Sequence, residues 1–88
     1  MARFDMGSAD TMVDGHTASG DVLFQLGVMC ASGRTGPVDL VSAHKWLNLA
    51  AHRGSSEAAR LRKELASEMS VEDVAAAQRE AREWLTRG

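Results

Sequence analysis

Cysteine is nearly absent: Cys30 stands alone among 88 residues, which excludes an internal disulfide and the multi-cysteine spacings of structural zinc sites. Proline is equally scarce, and Pro37 lies in the segment GRTGPV beside Gly33 and Gly36, where a chain break is expected. Aromatic residues are limited to Phe4, Phe24, Trp46 and Trp84, with no tyrosine. Charge of one sign is lacking too. The formal net charge of −2 leaves no basic footprint of the kind nucleic acids attract, so nucleic-acid binding is not expected. No apolar run approaches the length of a membrane span, and the opening MARFDMGSAD lacks the hydrophobic core of a secretory signal. These absences together lead to the expectation of a soluble, cytoplasmic protein with no membrane partner.

What remains is one domain's worth of chain with a change of pattern near residue 20. Residues 1–19 carry Gly, Ser, Thr and Asp without a sustained period and read as an irregular arm, in which Phe4, Met6 and Met12 are the apolar exceptions. Residues 20–88 read as a helical domain with helices at about 21–32, 39–53, 55–68 and 71–86. In the first, Val22, Leu23, Leu26 and Cys30 form a stripe with Gly27 and Ala31 beside it. Asp21 is placed to cap it or to sit in its first turn, and Gly33 to end it in a left-handed conformation.

The second helix takes Asp39 as N-cap and Leu40, Ala43, Leu47, Ala50 and Ala51 as inward face, with His52 and Arg53 at its negative end and Gly54 closing it. Ser55 or Ser56 caps the third, whose stripe is Ala58, Leu61, Leu65 and Met69. Ser70 followed by Asp73 has the form of a capping box and opens the fourth, where Val74, Ala77, Gln78, Ala81, Trp84 and Leu85 share a broad face. Arg79–Glu83 and Glu83–Arg87 are ion pairs expected on its other side. Short loops imply that neighbouring helices pack antiparallel, and small residues such as Gly27, Ala43 and Ala50 let their backbones approach closely.

Candidate chemistry is thin. Cys30, His44 and His52 are the only residues with catalytic or metal-binding flavour. His44 and His52 are eight residues apart on one helix, a separation of about 12 Å along its axis, so one metal ion cannot take both unless Asn48 intervenes, and Asn48 is a poor ligand. Cys30 falls on the inward face, where a thiol serves as a small hydrophobe. GRTG lacks the preceding strand and the lysine of a phosphate loop. Glu64, Glu68, Glu72 and Asp73 read as a solvated face, as do Arg60, Arg62 and Lys63 among their acids, and His16 as an arm residue.

An internal repeat organises the rest. Ala18-x-x-Asp21-Val22 aligns with Gly54-x-x-Glu57-Ala58 at an offset of 36 residues, a period typical of helix-turn-helix solenoids. Leu26-Gly27, Gly33, Gly36-Pro37-Val38, Asp39, Ala43, Trp46, Ala50-Ala51, Gly54 and Ala58 together resemble the SEL-one-like repeat family, a relative of tetratricopeptide repeats. The tail RLRKELASEMSVEDVAAAQREAREWL also looks like the half-repeat and closing helix of that family. The departures are Cys30 where the family usually has tyrosine, Val22 for alanine, and Leu40 for an aromatic residue after Asp39.

The resemblance implies an all-α fold, a short α-solenoid of antiparallel hairpins with one and a half repeats and a C-terminal capping helix. It also implies a non-catalytic adaptor, without cofactor or metal, of the kind that serves bacterial regulatory or assembly pathways by holding a partner protein. Solenoids generally need three or more units to bury a continuous core. A chain this short is therefore expected to use a partner, or a second copy in a homodimer, to complete its surface. Trp84, Leu85, Trp46 and Phe4 are the candidate contact residues. Two alternatives stay open: a thiol- or metal-dependent enzyme using Cys30 with His44 or His52, and a structural subunit stable only within a larger assembly.

Overall fold

The computed structural model of the protein describes residues 19–34 and 36–87. The expected arm, with Phe4, Met6, Met12 and His16, lies outside the described residues. The chain is all-α: α1 spans Gly20–Ser32, α2 Leu40–His52, α3 Ser56–Ala66 and α4 Val71–Arg87. Among the described residues no helix is long and apolar enough to cross a membrane.

Each helix begins where a short polar side chain can satisfy a free backbone N–H. Ser19 accepts from Val22 N at 3.2 Å, so the cap of α1 is Ser19 and not Asp21, which sits in the first turn. Asp39 accepts from both Ser42 N at 3.1 Å and Ser42 Oγ at 2.9 Å. Ser55 accepts from Ala58 N at 3.1 Å, which settles the choice between Ser55 and Ser56. Ser70 Oγ accepts from Asp73 N at 3.0 Å, the hydroxyl half of the expected capping box. Gly33 ends α1 with φ of 75°, a left-handed conformation that a β-carbon would strain.

Antiparallel pairing of α1 and α2 follows from their contacts. Asp39 N donates to Cys30 O at 3.0 Å near the loop. Gly27 faces Ala43 and Leu47 in the middle, and Gly20 faces Ala50 and Arg53 at the far end. The close crossing has a specific cause. A β-carbon on Gly27 would lie 2.7 Å from Leu47 Cγ and Cδ2, so only a bare Cα lets the two axes come this near. From α3, Arg62 donates to Asn48 Oδ1 at 2.6 Å, and Ser55 N donates back to Ala50 O at 3.0 Å, so α3 also returns along α2.

Helix α2 is the hub. It packs against α1, α3 and α4, while those three meet one another only marginally among the described residues. This explains a departure from the expected inward face. Ala43, Leu47 and Ala50 are buried as the periodicity predicts, but so are His44, Lys45, Trp46 and Leu49, while Leu40 and Ala51 are half-buried. A helix covered on three sides has no single stripe.

Leu23, Leu47 and Leu49 are the largest fully buried side chains, and each contributes about 1.5–3 kcal/mol from apolar burial. Lys45 lays its stem along Trp46 with Nζ 4.2 Å from the ring centroid, which keeps a long cation beside the core. The expected pairs Arg79–Glu83 and Glu83–Arg87 are not closed. Among the described residues, the ion pairs that form join Arg60 to Glu57 at 3.8 Å and to Glu64 at 3.2 Å, on the exposed side of α3.

Candidate functional site

Both tryptophans belong to the core. Trp46 is 4% and Trp84 3% exposed, and their rings meet edge to face with centroids 5.5 Å apart and planes at 83°. Such a pair contributes about 0.5–1.5 kcal/mol beyond its burial. It clamps α4 onto α2, so neither ring is presented to a partner in this fold. Trp84 and Trp46, two of the expected contact residues, thus occupy core positions, and Phe4 lies outside the described residues. Leu85, half-buried and packed against the core, is the candidate that reaches a surface.

That surface is a groove of about 270 Å³ between α2 and α4. Leu49, Ala81 and Leu85 form its apolar floor. Asn48 and His52 from α2, with Gln78 and Arg82 from α4, form its rims. The lining contains two basic side chains and no carboxylate. Arg82 is exposed and has no ion-pair partner among the described residues. Helical spacing explains this: Gln78, Arg79, Leu85 and Thr86 occupy the positions three and four residues away, and none is an acid. His52 ends α2, where a basic group complements the negative end of the helix. Asn48 is committed on its oxygen to Arg62, which fixes that wall of the groove to α3.

Of Cys30, His44 and His52, only His52 lines this groove. His44 is 2% exposed, and its Nδ1 has no hydrogen-bond partner. Burial, then the Arg62 guanidinium, holds its imidazole below the ordinary range and so in the neutral form. His52 is exposed on another face of the same helix. Cys30 is half-buried, and its thiol is pushed up chiefly by burial and then by the Asp39 carboxylate, with Lys45 opposing. Among the described residues no three His, Cys, Asp or Glu side chains are grouped as a metal would require.

A second depression of about 360 Å³ lies where the first turns of α1 and α3 come together beside Arg53. Asp21 and Glu57 line it, and Ser19 and Ser55 already cap the two helices, so its positive ends are answered from within.

No family model, curated protein or solved structure matches the chain.

Of the lining residues, Leu85 is an expected contact, Gln78 and Ala81 share its expected helix face, and Arg82 and Asn48 are not anticipated as its neighbours. The readable signal was the lack of an acid at helical spacing from Arg82. The groove itself arises from the register of α4 on α2, which the Trp46–Trp84 contact sets across 38 positions of sequence.

Proposed function

We propose that the chain is a non-catalytic protein–protein interaction module, an adaptor that holds a segment of a partner protein through its helical-hairpin surface. The observation that carries this reading is the groove between α2 and α4. Its volume of about 270 Å³ falls just under the roughly 300–1,000 Å³ of small-molecule pockets and suits an anchoring side chain of a peptide. The thiol and imidazole chemistry supports the same reading. Cys30 is held toward its unreactive protonated form, and His44 is sealed from solvent.

The likeness to SEL-one-like repeats supports an adaptor role, with α1 and α2 as one full solenoid hairpin, α3 as a half-repeat and α4 as the closing cap. On this reading the protein works in the bacterial cytoplasm and associates as a homodimer. Light scattering at high micromolar concentration tests the dimer, and a strict monomer removes it. Selection of random displayed peptides on the immobilised chain tests the binding role. Enriched peptides should perturb the amide resonances of Leu49, Ala81 and Leu85, and a selection that enriches nothing above bare resin rejects the reading.

A further inference from the structure

We infer that the groove between α2 and α4 takes an acidic peptide segment of a partner, one large apolar side chain flanked by Asp or Glu. The inference rests on the adaptor reading and names the chemistry of its partner. Charge complementarity is the main ground. Arg82 and His52 stand at the groove with no carboxylate in its lining, in a chain whose acids outnumber its lysines and arginines by 12 to 10. Arg60, by contrast, has two acids on its own helix.

An arginine with no ion pair among the described residues, at the rim of an apolar-floored groove, offers a planar fork that a carboxylate can meet with two hydrogen bonds. The amides of Gln78 and Asn48 can meet the peptide backbone. The shallow floor of Leu49, Ala81 and Leu85 accepts one apolar side chain beside that carboxylate. An exposed ion pair alone contributes only about 0–1 kcal/mol, so the apolar anchor is needed for affinity and the charge selects the partner.

The test uses the full chain and a fluorescein-labelled peptide with one Leu between Asp and Glu residues, followed by anisotropy. Its twins replace the acids with Lys or the Leu with Ala. The acidic Leu peptide is expected to bind about tenfold tighter than either twin, and added salt should weaken it. Arg82→Glu should abolish that preference and favour the Lys twin. Gln78→Glu, which places an acid one turn from Arg82 and quenches it without removing it, should weaken binding similarly, with helicity unchanged by circular dichroism in both variants.

Equal binding of the Lys twin overturns the inference, as does undiminished affinity in both variants. So does a concentration-dependent shift of the Leu49, Ala81 and Leu85 amide resonances in the chain alone, which would give the groove to a second copy. If displayed peptides are enriched but the acidic peptide does not bind, this inference falls and the adaptor reading stands. If neither binds, both fall.

Discussion

Replacing Gly27 with alanine tests the close crossing of α1 and α2, because two opposing effects predict different signs. Alanine in a helix interior is favoured over glycine by about 1 kcal/mol, so propensity alone predicts stabilisation. Packing predicts the reverse. The new β-carbon would sit 2.7 Å from both Leu47 Cγ and Cδ2 and 3.3 Å from the carbonyl oxygen of Ala43. Leu47 is fully buried, so it cannot swing away without displacing other core atoms, and the carbonyl belongs to the backbone of the hub helix. Overpacking of this kind costs roughly 1–3 kcal/mol, occasionally more, and the double clash places Gly27→Ala at or above the upper end. The net loss is about 2 kcal/mol or more, which in a domain of this size lowers Tm by at least roughly 8–16 °C.

Gly20 supplies the control on the same helix. A β-carbon there meets Ala50 O at 3.5 Å and Arg53 Cβ at 3.6 Å, ordinary contact distances, so Gly20→Ala should hold or raise Tm. Thermal melts followed by circular dichroism compare the two. If Gly27→Ala melts at or above the parent temperature, the close approach of the two helices is wrong.

Acid should weaken the fold through His44. Its folded-state imidazole lies below its ordinary value of 6.5, so the unfolded chain binds the extra proton first, and stability falls as pH drops through that value. His44→Leu should therefore flatten the difference in denaturation midpoint between pH 7.5 and 5.5, and an unchanged slope would clear His44 of the effect. Asp39→Ala should lower Tm through loss of the α2 cap, at a cost of about 1 kcal/mol. The same change should bring the Cys30 thiol back toward its ordinary range, read as a lower midpoint in the pH profile of its alkylation. A midpoint that does not move would show that the Asp39 charge is not felt at Cys30.

Much of the helical framework was legible because caps and breaks are local chemistry. Asp39, Ser55 and Ser70 each declare a helix start through a short polar side chain, and Gly33 a stop through its freedom at positive φ. Ser19 and Asp21 are not separable by sequence, because both residue types cap helices and only backbone geometry decides between them. The burial of His44, Lys45 and Leu49 was not legible, since periodicity reports one covered face and α2 is covered on three. The candidate site was legible at Leu85, with Gln78 and Ala81 on its helix face, and in His52 as a candidate side chain. Arg82 and His52 come together through the seating of α4 on α2, a long-range contact between two tryptophans that no local pattern encodes.

The hub arrangement also has an evolutionary consequence. Since α1 and α4 barely touch one another among the described residues, substitutions on the sides they turn away from α2 should be thermodynamically independent of one another. The outer side of α4 can then diversify, trading one rim residue for another, without compensating change in the hairpin that supports it. A mutation in α2 has no such latitude, because each of its faces answers to a different neighbour.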